Sequence, residues 1–412
     1  MDEWLLSLEK SGISLELSRI KRLLKELGNP QKKFSSIHIA GTNGKGSIST
    51  FIASVLIKAG YKTGLYTSPH LVSLSERIKV NGTPISDEML NFFTKKVRSI
   101  VERWDEPPTF FEAITVICFL DFAEENIDIG VIEVGLGGRL DATNTIKPIL
   151  SIITNISLEH TDYLGNTVEK IAYEKSGVIK RKIPVVIGKT YKEAMDVIEN
   201  MAKKKKSPTI VEGRDFYASG TPDNFDAKIR SKVYKNLSLQ MIGDHQVKNA
   251  SIAIAGLETI KDAFPFSDYA LKTGLRNAKI HGRMDVVSKE PLIILDGAHN
   301  PDSAKVLRGC LNSYFSSYKP IFIIGILSDK DIEEFFRNLD ISSSKTIITE
   351  AKIDRTCPKE ALFKIAQKYT KNCLMMDDVE TAIKYAKEIV KKDELICICG
   401  SLYLIGEAIS IF

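Results

Sequence analysis

The segment Ala40-Gly41-Thr42-Asn43-Gly44-Lys45-Gly46-Ser47 contains the residue types that cradle a phosphate. Glycines free successive backbone N–H groups to line a concave surface, and the helix that follows turns its positive end toward the same point. Lys45 suits the outer phosphates of a nucleotide, and Ser47 offers a hydroxyl to Mg2+. The strict spacing G-x-x-x-x-G-K-[ST] is broken twice, because Ile39 stands five residues before Gly44 and Gly46 replaces Ser or Thr. The segment therefore reads as a nucleotide cradle or as a plain glycine-rich turn, and a strand before with a helix after favours the cradle.

Glu133 lies at the carboxyl end of the apolar run Ile129 to Val134, one residue from its last apolar position, where a doubly wound sheet presents groups to a ligand. It reads as a Mg2+ ligand between protein and phosphates, or as a carboxylate at a strand tip. His160 follows the run Leu150 to Ile156 and is open to a ligand role and to a structural one. A protonated lysine is no metal ligand, so Lys175 needs modification or acts through charge alone. A second glycine cluster, Gly135-Leu136-Gly137-Gly138, fails as a dinucleotide fingerprint. Leu140 holds its third glycine position, and Asp141-Ala142-Thr143-Asn144 opens no helix into the loop. His38, inside a strand, reads as a core residue.

These groups need a scaffold, and apolar runs of strand length alternate with amphipathic stretches along most of the chain. The pattern predicts strands over 36–40, 129–134, 150–156 and 184–187, and helices over 47–59, about 109–125, 168–176 and 244–260. Thr109 and Glu112 have capping-box spacing. The stretch 208–241 reads as an excursion from the main sheet. After Arg283 the rhythm restarts with strands over 292–295, 321–324, 346–349 and 395–399 and a helix opened by Asn300-Pro301. The expected fold is α/β, a mostly parallel sheet of the P-loop type followed by a smaller α/β domain.

At 412 residues the chain has room for two or three domains. Its 43% hydrophobic and 26% charged residues exclude disordered and fibrous classes. Lys and Arg exceed Asp and Glu by 57 − 52 = 5, which favours anionic ligands without pointing to nucleic acid. The run Lys203 to Lys206 reads as a solvated helix end. Six cysteines without a Cys-x-x-Cys pair indicate a reduced, cytoplasmic protein. The start Met1-Asp2-Glu3-Trp4 lacks the pattern of a secretory leader. The apolar C-terminal stretch is interrupted by Gly400-Ser401 and Gly406, so no membrane span is expected.

Taken together, these segments resemble the folylpolyglutamate synthase and dihydrofolate synthase family, relatives of the Mur peptide ligases. The resemblance runs in family order through 40–47, Thr67-Ser-Pro-His-Leu71 with Glu76-Arg77-Ile78, Glu133 to Asn144, Ile153-Thr-Asn-Ile156 with His160, and Glu174-Lys175. It continues through Asp244-His-Gln246 with Asn249, His281-Gly-Arg283, Leu295-Asp-Gly-Ala-His-Asn300 and Gly400-Ser-Leu-Tyr-Leu404. It implies an ATP-dependent ligase in which a dihydropteroate or reduced-folate carboxylate attacks the γ-phosphate. The amine of L-glutamate then displaces phosphate from the resulting acyl phosphate.

Position by position, the resemblance implies that Asn43, Gly44, Lys45, Gly46 and Ser47 hold the triphosphate and that Ser68, Glu133 and His160 bind Mg2+. Lys175 matches a lysine that relatives carbamylate. Asn249, Arg283 and Asp296 contact ATP, and His299 lies near the incoming glutamate. Phe111, His70 and Arg77 are candidates for the pterin site, since a flat heterocycle favours aromatic neighbours, although Phe110 and Phe111 equally suit packing at a helix start. Glu159 and Ser176 stand where relatives often carry aspartate and alanine. The implied division is residues 1–288 for ATP and pterin, and a Rossmann-like domain over 289–412 for glutamate. Closure of the cleft between them would shield the intermediate. The expectation is a monomer acting on small molecules, with no nucleic-acid or membrane partner. Two rivals remain: a Mur-type ligase of peptidoglycan precursors, disfavoured by the short segment before the phosphate loop, and a nucleotide-binding protein of the P-loop type without ligase activity.

Overall fold

The computed structural model describes residues 3–8, 12 and 14–412, so the reading of the first residues as leaderless lies partly outside it. Two compact units are present, one comprising 1–69, 74–239 and 247–278, the other 70–73, 240–246 and 279–412.

The first unit is built on an eight-stranded sheet in the order β4-β3-β2-β5-β1-β6-β7-β8. Its strands are β1 (Ser35–Ala40), β2 (Thr63–Tyr66), β3 (Ile78–Val80), β4 (Thr83–Pro84), β5 (Ile129–Glu133), β6 (Leu150–Ile153), β7 (Val185–Ile187) and β8 (Thr209–Val211). The pairs from β2 to β8 are parallel, while β3 and β4 form an antiparallel edge. Both faces are covered, which is why β5 and β6 are buried at every position and read as unbroken apolar runs. The Lys45–Lys58 helix packs toward the face bearing Ile152, where Gly256 of the Asp244–Thr259 helix also sits. The Phe110–Glu124 helix shares the opposite face with Ile132. That helix is buried from Glu112 to Phe122, so it is apolar all round rather than amphipathic.

The excursion expected over 208–241 begins only after residue 211, because 209–211 still pair with β7 in the main sheet. After β8 it forms a three-stranded antiparallel sheet of β9 (Phe216–Thr221), β10 (Asn224–Ile229) and β11 (Lys232–Leu237).

The second unit holds a six-stranded sheet, β12-β13-β17-β14-β15-β16. Its members are β12 (Asp285–Lys289), β13 (Leu292–Asp296), β14 (Lys319–Ile324), β15 (Lys345–Ile348), β16 (Cys373–Met375) and β17 (Glu394–Cys399). All pairs but β12-β13 are parallel. The unit's main segment begins at Lys279 rather than 289, because β12 pairs with β13 and is inseparable from it. Sequence periodicity overlooks β12 and β16, both short and partly exposed, and β2 to β4. It also starts the first long helix two residues late, at 47. Gly44 adopts a left-handed conformation at the N-cap, so Lys45 and Gly46 are already helical. Among the described residues no helix is long and apolar enough to cross a membrane.

Asp121 is an acid inside the buried Phe110–Glu124 helix, and burial, reinforced by Glu125 and opposed by Lys62, pushes its carboxyl up to about 6 from the usual 3.8. Between those values the folded chain keeps a proton that the unfolded chain has lost, so stability falls as pH rises through this window. Asp121→Asn should therefore raise the melting temperature at neutral pH, by a margin that shrinks toward pH 4. A margin independent of pH in calorimetry would contradict this.

Candidate active site

In the first unit, β1 is followed by a connection toward β2 and the neighbouring β6 by one toward β7, on opposite sides of the sheet. A crevice opens at the carboxyl ends of two strands that diverge in this way. The glycine loop leaves β1 at that point and is laced to the residues after β6. Thr42 N–H donates to the Asn155 carbonyl at 2.9 Å, Asn43 N–H to Asn155 Oδ1 at 2.9 Å, and the Thr154 hydroxyl to the Asn43 carbonyl at 2.7 Å. Ser157 N–H donates to Thr42 Oγ1 at 3.1 Å.

Two glycines are obligatory here. Gly41 has φ +142°, and a Cβ on it would lie 1.9 Å from Thr154 Oγ1. Gly44 has φ +86°, and its Cβ would stand 2.6 Å from Asn249 Oδ1. The Asn249 carboxamide therefore lies against the loop.

Two lysines converge on one carbonyl. Lys45 Nζ donates to the carbonyls of Gly41 and Thr42, both at 2.9 Å, and Lys175 Nζ donates to the Gly41 carbonyl at 2.8 Å. Lys175 is 2% exposed and forms an ion pair with Glu159 at 2.7 Å. Burial pushes the Lys175 ammonium below its ordinary value against the pull of Glu159. Burial alone would raise Glu159, but Lys175 and then Lys45 overcome it and hold the carboxyl well below the usual range. We take the pair as ionised, since each charge has a partner at hydrogen-bond distance.

Glu133, the last residue of β5, is buried and accepts the Ser68 N–H at 3.4 Å. A Cβ on Gly46 would lie 3.6 Å from Glu133 Oε2, so this carboxylate borders the loop. His160 has φ +47° and occupies the N-cap position of the short Thr161–Leu164 helix without a side-chain capping bond. Phe111 lies 6.2 Å from Tyr66 between ring centroids, and a Cβ on Gly135 would strike its ring. Arg77 is buried with its guanidinium 5.4 Å from the Phe110 ring.

In the second unit, which contains His70, Asp296 ends β13. Its two oxygens accept the N–H groups of Met284 and Ala298, each at 2.9 Å. Burial pushes this carboxyl up and Arg283 pulls it down, with burial prevailing. His299 Nδ1 is 2.7 Å from the Gly297 carbonyl, so Nδ1 carries the proton and Nε2 is the acceptor in the neutral ring. Asn300 and Ser303 form a reciprocal cap on the following helix. Sequence reasoning names Lys175, Glu159, Thr154 and Asn155 one by one but misses the Glu159–Lys175 pairing and the lacing of Thr154 and Asn155 to the glycine loop. A polar Thr-Asn pair directly after an apolar run was the available signal.

The Mur ligase middle domain family matches residues 39–257, and the dihydrofolate synthetase C-terminal domain family matches residues 280–411. A Mur-type ligase is thus the class that fold and loop define. The chain belongs to the dihydrofolate synthase/folylpolyglutamate synthase family. It is 34% identical to the dihydrofolate synthase/folylpolyglutamate synthase of Bacillus subtilis, over 98% of this chain and 96% of that one. The crystal structure of a folylpolyglutamate synthase from Thermotoga maritima superposes with a TM-score of 0.87 at 37% identity, covering 99% of this chain and 96% of the other. The bifunctional enzyme of Yersinia pestis, complexed with AMPPNP and Mn ion, gives 0.90 at 29% identity over 99% and 97%.

Gly44→Ala should weaken binding of a nucleoside triphosphate at least about tenfold, because a left-handed alanine costs about 1–2 kcal/mol before the contact with Asn249 is relieved. Gly309→Ala, at an open position in the Pro301–Tyr314 helix, should leave it unchanged. Equal affinities by titration calorimetry would show that the loop tolerates a side chain.

Proposed function

We propose that the chain joins L-glutamate to the carboxylate of dihydropteroate or of reduced folates at the expense of ATP, by way of an acyl phosphate, releasing ADP and phosphate. The observation that carries this reading is the glycine loop at the strand divergence, bordered by Lys45, Lys175 and Glu133 within a family of folate ligases. Attack of one anion on another requires charge neutralisation and alignment. Asn43, Gly44, Gly46 and Ser47 bind the triphosphate through the loop and the first turn of the helix, while Lys45 neutralises its outer charge. Asn249, Arg283 and Asp296 orient the nucleotide.

Among the described residues, no three His, Cys, Asp or Glu side chains group as a metal cage. That suits Mg2+, which keeps waters and phosphate oxygens and needs only one or two carboxylates. Ser68, Glu133 and His160 are the residues that hold it, and when bound it screens the phosphate oxygens. The contacts of Lys175 fit an ammonium. A carbamate there, which the family resemblance carries, would place a second anion beside the Glu159 carboxylate, with Lys45 the nearby cation. Phe111, Arg77 and His70 serve the pterin end. His299, with Nε2 as acceptor, receives the incoming amino group of glutamate. The reading includes a cytoplasmic monomer acting on small molecules alone.

Phosphate release is to be measured with ATP, Mg2+ and either dihydropteroate or tetrahydrofolate, with and without L-glutamate. Turnover requiring glutamate and one of the pterins is expected, and turnover indifferent to both would overturn the reading in favour of a simple nucleotide-binding protein. Glu133→Gln should lower kcat by about two orders of magnitude, the scale of losing one preorganised electrostatic group, without changing the melting temperature. Near-normal turnover in that variant would remove Glu133 from the metal site.

A further inference from the structure

The loop that leaves Glu133 is gripped from two sides. On the inner side Asp141 accepts Leu136 N–H at 2.8 Å, Thr143 N–H at 3.0 Å and the Thr143 hydroxyl. That hydroxyl lies 2.8 Å from His38 Nε2. His38 is held down to about 3, first by burial and then by Lys180, so its ring is neutral and Nε2–H donates to Thr143.

On the outer side the loop caps the helix Val168–Ser176, the element that carries Lys175. Arg139 N–H donates to the Glu174 carbonyl at 2.8 Å, and the Arg139 guanidinium forks onto the Glu174 carboxylate at 2.9 to 3.2 Å. The Asn144 carboxamide donates to the carbonyls of Arg139 at 2.8 Å and Gly177 at 3.2 Å, and accepts Lys180 Nζ at 2.6 Å. Loop and helix end touch backbone to backbone. A Cβ on Gly177 would lie 2.3 Å from Arg139 Cα, and one on Gly138 would lie 2.9 Å from the Lys175 carbonyl.

The last carbonyls of a helix have no partner within it, and here the loop after β5 supplies donors to two carbonyls at that end. The Arg139–Glu174 pair is a poor source of stability, because Arg139 is 41% exposed and exposed pairs contribute little. Its forked geometry, by contrast, fixes direction. We propose that Arg139 and Asn144 are positioning residues that hold the Lys175 helix in register with the strand bearing Glu133, so that the two charges flank the glycine loop at fixed spacing. The kinetic part of this inference rests on the ligase reading above, and the structural part does not.

Two variants of the full chain test it: Arg139→Met, which keeps the apolar stem, and Asn144→Asp, which keeps the acceptor for Lys180 but removes both donors. Hydrogen exchange at the amides of Gly177, Val178 and Ile179, which bond to Glu174, Lys175 and Ser176, reads the clamp directly. Exchange should quicken about tenfold or more as the helix end opens locally. Because a displacement of about 1 Å can cost about 100-fold, kcat per nucleotide-binding site should fall about 10- to 100-fold while KM for pterin and glutamate stays within about twofold. The melting temperature should hardly move, and Arg139→Lys should recover part of kcat. Unchanged exchange overturns the clamp. Quickened exchange with undiminished kcat, or activity lost only in step with folded protein, overturns the positioning role. A parent chain without glutamate-dependent turnover defeats the ligase reading, and exchange then still decides the clamp.

Discussion

A lysine ammonium with almost no access to water is the constraint around which the first unit is organised. Removing such a charge from solvent costs several kcal/mol, and the cost is offset only where its hydrogen-bonding protons meet well-placed acceptors. Lys175 has two, Glu159 and the Gly41 carbonyl. The second acceptor is backbone, so its direction is set by the conformation of Gly41, and that conformation requires both a positive φ and the absence of a Cβ. Gly41 in turn is held by the lacing of Thr42 and Asn43 to Asn155 and Thr154. Burial of one charge is thus tied to the shape of the glycine loop.

The same carbonyl accepts Lys45, so two cations lie within reach of one another, with Glu159 as the nearby anion. Such a cluster persists because the sheet presents its parts from separate strands: the loop from β1, Glu133 from β5, and Asn155 and Glu159 from the segment after β6. Parallel register brings Ile39 opposite both Glu133 and Ile152, so all three strands end at nearly the same height. An antiparallel sheet would not align three consecutive carboxyl ends in this way.

Local chemistry made part of this legible from sequence. The glycine loop, the Thr109–Glu112 cap and the Asn300-Pro301 helix start are written within a few residues, and each forms as its residue types require. Glu133 was legible because its strand is buried on both faces and ends abruptly in a charge. What escaped depends on partners far along the chain. His38 meets Thr143 across 105 residues, and Asn155 meets Asn43 across 112. No periodicity encodes such contacts. The strands β12 and β16 escaped for a different reason, since both lie at sheet edges with mixed exposure and so lack the clean apolar run of a central strand.

The second unit solves a related problem with backbone donors. Both oxygens of Asp296 are occupied by N–H groups from Met284 and Ala298, so the carboxylate ties the turn after β13 to the residues that precede β12. Gly297 must lack a side chain, since a Cβ there would come 2.3 Å from Leu402 and 3.0 Å from the Arg283 guanidinium. The turn so fixed brings the Gly297 carbonyl to His299 Nδ1, and that bond selects the tautomer whose Nε2 accepts a proton. In a neutral ring bonded in this way, Nε2 is the nitrogen left with an acceptor lone pair. Asp296 therefore bears on His299 through the turn that it fixes.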